Sequence, residues 1–94
     1  MGLSEIDPSR SKGGLFINAA WHLMKPFTVR MKLTEAQTKR YWTRDQIGFH
    51  EWLVHNESVC VLKHIVQSDY SVVETYLYFR TENERFLYFL TWHS

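Results

Sequence analysis

The chain has 94 residues, 45% apolar and 16% aromatic, with eleven basic against ten acidic side chains and a formal charge of +1. That length supports one domain, and the apolar content excludes a disordered chain. The charge balance excludes a global field that would hold the protein on nucleic acid or an acidic membrane.

Residues 1–14 hold Pro8, Gly13 and Gly14 among serines and charges, and read as a flexible N-terminal arm preceding a single domain, 15–94. The segment 15–24, LFINAAWHLM, is nearly continuously apolar, so periodicity allows helix or strand; the weak strand propensity of Asn18-Ala19-Ala20 favours helix. After Lys25-Pro26 the chain alternates, with Phe27, Val29, Met31 and Leu33 on one side and Thr28, Arg30 and Lys32 on the other, which predicts a half-buried strand over 27–33.

Thr34-Glu35-Ala36-Gln37 is a capping box, so a helical region should start there. Thr43-Arg44-Asp45-Gln46 repeats the pattern, predicting a restart or bend near Thr43, and Asn56 is the expected stop after His55. Ile47, Trp52 and Leu53 are expected on its buried side.

β-branched and aromatic residues then predict three strands, 58–66, 71–80 and 85–92. A turn at Ser68-Asp69 would set Lys63 opposite Glu74 and Val61 opposite Tyr76. Cys60, Leu62, His64 and Val66 then share a face with Val73, Thr75, Leu77 and Phe79, the better core. A loop at Thr81-Glu82-Asn83 would add Leu87 and Phe89 to that face. The opposite face collects Tyr76, Tyr78, Phe86, Tyr88, Leu90 and Trp92, diluted by Lys63, Glu74 and Arg80. Both faces are therefore apolar, and the second must meet 15–24, another subunit or a partner.

The expected fold is α+β: an antiparallel sheet of about four strands (27–33, 58–66, 71–80, 85–92) packed by a helical region 34–55, with 15–24 as a further layer. In layout alone, helix followed by a long meander, this resembles cystatin-like and nuclear-transport-factor-like architectures; no residue motif identifies a family.

Chemistry is thinly signalled. Cys60 stands alone, which excludes an intrachain disulfide and a thiolate zinc site. His50 and His55 are five apart, turning one imidazole about 140° from the other, and Cys60 and His64 would stand ~13 Å apart along a strand. No phosphate loop or facing carboxylate pair is present, so no enzyme activity, cofactor or metal is expected.

The leading expectation is a small non-enzymatic interaction protein, an inhibitor, adaptor or regulator of the kind phages and viruses encode. It would use Tyr76, Tyr78, Arg80, Phe86, Tyr88, Leu90 and Trp92 to bind itself, as a homodimer, or a macromolecular protein partner. The alternative is RNA or single-stranded DNA binding through the basic 25–44 stretch, where Lys25, Arg30, Lys32, Lys39, Arg40 and Arg44 are interleaved with Tyr41 and Trp42. A second alternative is a small-ligand pocket or enzyme in the curved sheet near His64 and Tyr76. No apolar run resembles a signal or membrane segment, so a soluble, cytoplasmic location is expected.

Overall fold

β-branched and aromatic residues make 59–66 and 73–79 two long strands, and the other elements cover or extend the ladder between them. The structure is a computed structural model and describes residues 7–66 and 73–92. Strands β1 (Gly14–Ile17), β2 (Val29–Lys32), β3 (Val59–Val66) and β4 (Val73–Phe79) form one sheet in the order β1-β3-β4-β2. Helices α1 (Glu35–Arg40), α2 (Gln46–His55) and α3 (Glu82–Trp92) complete an α+β fold. The sheet is mixed rather than wholly antiparallel, because β1 runs parallel to β3 while β4 is antiparallel to both β3 and β2.

Two expected elements change character. The region 85–92 is not a strand but part of α3, because Thr81 and Glu84 close a capping box: the Thr81 hydroxyl accepts from the Glu84 amide at 3.1 Å and the Thr81 amide donates to Glu84 Oε1 at 3.2 Å. The long meander of the layouts named above is therefore absent. The apolar segment 15–24 is not a helix; β1 takes its first part and a 3-10 turn at Trp21–Leu23 its last. Between them Asn18 adopts a φ of 54°, which a short amide tolerates, and its Oδ1 accepts from the His64 amide at 3.0 Å. That turn lifts the chain out of the sheet and lays it over one face.

The capping box at Thr34 forms as expected, with the Thr34 hydroxyl accepting from the Gln37 amide and the Gln37 side chain accepting from the Thr34 amide. The expected break near Thr43 is present, but without a second capping box. Thr43 donates its hydroxyl to the Lys39 carbonyl at 2.8 Å, and the chain passes through a π-helical turn, Tyr41–Asp45, before α2 begins. Leu53 is fully buried and Trp52 partly so, but Ile47 is 73% exposed, since the π turn rotates the start of α2 relative to α1.

β3 and β4 pair with Lys63 opposite Tyr76 and Val61 opposite Tyr78, two residues from the expected register. An even shift preserves the faces. The Ser68-Asp69 turn lies outside the described residues. One face carries Cys60, Leu62, Leu77 and Phe79 against Tyr41, Phe49, Leu53 and Tyr88 of the helical layer. The other carries Val59, Val61 and Tyr78 against Met24 and Phe27. The two-sided apolar hairpin is explained by two covers, helices on one face and the 18–28 segment on the other.

Gly13 and Gly14 are where the chain squeezes past α2. A Cβ on Gly13 would stand 2.9 Å from the Leu53 carbonyl oxygen, and Gly14, at φ 123°, lies against the His50 ring. Only glycine fits that approach without strain.

Candidate functional site

In α3, Tyr88 and Trp92 are four residues apart and share the inward side, with ring centroids 5.3 and 5.7 Å from that of Phe49. Turning that stripe inward turns the opposite one outward. Phe86 is 58%, Leu87 38%, Phe89 47% and Leu90 63% exposed, so four large apolar side chains within five residues face solvent. Beside them a cavity of about 660 Å³ opens between α3 and β2, lined by Met31, Glu82, Asn83, Arg85, Phe86 and Phe89. Glu82 and Arg85 pair at 2.7 Å on its lining. β2 is the last strand on that side of the sheet.

A second cluster lies on the sheet face away from the helices. Arg30 and Lys32 stand opposite Tyr78 and Tyr76 on the neighbouring strand, and the Arg30 guanidinium lies 4.8 Å from the centroid of the Tyr76 ring. Lys32 pairs with Glu74 at 3.4 Å, and the Tyr76 hydroxyl donates to the same carboxylate. These bonds, the Tyr76 donation first and Lys32 second, hold the Glu74 carboxyl below its ordinary pKa. Trp21 is 58% exposed and meets Tyr78 edge to face. Lys63 is buried beneath Trp21, its Nζ 4.2 Å from the ring centroid and donating to the Ala19 carbonyl at 2.6 Å. Burial lowers its pKa.

The seven residues expected to form one partner face are divided among four places. Tyr76 and Tyr78 lie on the non-helical sheet face, Tyr78 buried under Met24 and Phe27. Arg80 sits past the end of β4 and pairs with Glu84 at 3.4 Å. Phe86 and Leu90 are exposed on α3, while Tyr88 and Trp92 point into the helical core. Leu87 and Phe89 complete the exposed surface, with half-buried Met31 beside it; the expected strand put Leu87 and Phe89 in the core. The Thr81–Glu84 pattern was the signal that would have placed them.

The basic stretch is divided as well. Arg30 and Lys32 belong to the non-helical face, and Lys25 is exposed in the segment covering it. Lys39 is exposed on α1, and Arg40 donates to the Trp92 carbonyl at 3.1 Å and pairs with Asp45 at 3.2 Å. Arg44 also pairs with Asp45. Tyr41 is buried in the helical core, and Trp42 stacks on His64 with centroids 5.6 Å apart. The structure thus joins parts of the two expected sites, Arg30 and Lys32 with Tyr76 and Tyr78.

His64 and Tyr76 occupy opposite faces: His64 Nδ1 lies 3.0 Å from Thr75 Oγ1 on the helical side. Burial pushes the Cys60 thiol well above its ordinary pKa, which suppresses the reactive thiolate. Among the described residues no group of three His, Cys, Asp or Glu side chains could hold a metal ion, and no helix is long and apolar enough to cross a membrane. What the arrangement offers is apolar and backbone contact at the α3–β2 border and cationic and aromatic contact on the far face. No family model, curated protein or solved structure matches the chain.

Proposed function

We propose that this chain is a small non-enzymatic protein-interaction module, an inhibitor, adaptor or regulator, that meets its partner through the outer face of α3 and the groove beside β2. The observation that supports it is the exposure of Phe86, Leu87, Phe89 and Leu90 together on one helix. Scattered exposed apolar side chains are ordinary, but a contiguous patch next to a groove is a surface that association would bury. A photocrosslinking amino acid in place of Leu90 should trap a protein, a second copy or a different one, and Phe86→Asp in the same chain should abolish the product. A product indifferent to Phe86→Asp, or no product in the cell that makes this protein, overturns the reading.

A second reading, single-stranded RNA or DNA binding, is favoured by Arg30 and Lys32 standing beside Tyr76 and Tyr78 with Trp21 exposed nearby. Cations and stacking rings on one sheet face are what such binding uses. Glu74 within that cluster opposes it. Oligonucleotide affinity should fall steeply with salt and be lost in Arg30→Glu with Lys32→Glu; an unchanged affinity in that variant discards this reading.

A further inference from the structure

The outer edge of β2 combines three features that together specify an occupant. First, among the described residues β2 ends the sheet. The Leu33 amide donates to the Thr75 carbonyl at 2.9 Å, and residues bonded to the partner alternate along an antiparallel strand, so Met31 and Val29 bond toward β4. The amides and carbonyls of Arg30 and Lys32 therefore point away from the sheet. Second, Met31 on the helical side continues into the apolar groove with Phe86 and Phe89. Third, Arg30 and Lys32, both exposed, line the other side of the same edge.

A second copy does not fit this edge. A twofold antiparallel pairing of β2 with itself must place residues of one face opposite one another, so Arg30 or Lys32 would always face Arg30 or Lys32. Like charges directly opposite destabilise a strand pair, and cationic edge strands discourage such contacts. An acidic strand fits the same edge.

Resting on the interaction reading above, we propose that β2 is the receiving strand for an extended segment of a partner protein in which apolar and acidic side chains alternate. The segment adds to the sheet as a fifth strand. Its apolar side chains enter the groove beside Met31, Phe86 and Phe89, and its carboxylates meet Arg30 and Lys32, competing with Glu74 for the latter. Backbone bonds to Arg30 and Lys32 provide attachment, and the alternation provides selectivity.

The test uses the full chain and a fluorescein-labelled nonapeptide of alternating isoleucine and glutamate, followed by anisotropy and by amide hydrogen exchange. Expected are saturable binding and slowed exchange at the Arg30 and Lys32 amides. Affinity should fall at least tenfold when lysine replaces glutamate in the peptide, or when a backbone N-methyl group blocks its central amides. Arg30→Glu with Lys32→Glu should reverse the charge preference, taking the lysine peptide over the glutamate one, a gain that misfolding cannot imitate. Binding that depends on Phe86 but ignores charge and N-methylation would overturn strand addition while leaving the interaction reading standing. Absence of binding, or peptide-independent protection of the same amides in a dimer, would overturn it too, the latter assigning the edge to a second copy. A Leu90 crosslink lost in Phe86→Asp but unaffected by the peptide would separate failure here from failure of the interaction reading.

Discussion

β4 and α3 are neighbours in the chain and read almost alike, TYLYF and RFLYFLTW, yet one is a strand with every side chain from Thr75 to Phe79 wholly or partly covered and the other a helix with one stripe covered. Aromatic and apolar density does not distinguish them. What differs is the capping at Thr81 and the number of layers each meets: β4 lies between the helices and the 18–28 segment, whereas α3 meets the sheet, α2 and Arg40 of α1 on its inner side and, among the described residues, no layer on its outer side. Equal composition thus gives a core element in one place and an exposed apolar surface in the next, and the surplus surface is the candidate site.

The contrast is broken most severely in β4. Leu77 is 1% exposed, so Leu77→Ala should cost about 2–5 kcal/mol by urea unfolding, enough to unfold much of a domain this small. A cost below about 1 kcal/mol would mean that the helices do not close that face of the sheet as described.

Next in size is the alkaline response of Tyr88, the one tyrosine of α3, and of Tyr41 opposite it in the helical core. Burial pushes both hydroxyls from 10.0 up to about 12. A raised folded-state pKa means that the folded chain holds protons which the unfolded chain releases, so this stabilisation is complete below pH 10 and lost as pH rises towards 12. At about 1.4 kcal/mol per unit, the pair should matter more than a single helix cap. Melting temperature should fall steeply above pH 10, with the tyrosinate absorbance of these two appearing only as the chain unfolds. Tyr41→Phe should blunt the fall and leave neutral-pH stability within about 1 kcal/mol, since its buried hydroxyl has no hydrogen-bond partner among the described residues.

Removing the cap asks what keeps α3 a helix. Thr81→Ala should cost about 1 kcal/mol and fray the first turn, seen as faster exchange at the Asn83 and Glu84 amides. Smallest is Leu90→Ala, which should change stability by no more than about 0.5 kcal/mol. With the photocrosslinking amino acid moved to exposed Leu87, the same substitution is expected to weaken partner crosslinking, placing Leu90 in function and Leu77 in folding.

Local signals were legible wherever the physics was local. The Thr34 capping box, the stop at Asn56, the alternation through Val29 and Met31 and the faces of 59–66 and 73–79 are written in neighbouring residues, and the structure forms each of them. At 85–92 aromatic β-propensity points to a strand, while Thr81 and Glu84 carry the same capping pattern as Thr34 and Gln37. Propensity is a weak prior and a cap is a stereochemical device, so the cap prevailed. Ile47 was misplaced because a π turn adds a residue and rotates the apolar stripe, which no hydrophobic pattern announces.

The sequence by itself determined an α+β fold with strands at 59–66 and 73–79, because β-branched and aromatic density and capping chemistry are properties of short segments. Only the tertiary structure decided that 14–17 is a strand, since its stability comes from a parallel partner, Gly14 beside Val59, far along the chain. It alone decided where exposed apolar side chains gather. Exposure is the remainder after all layers have packed, and four such side chains fall within five residues of α3, beside the edge of β2.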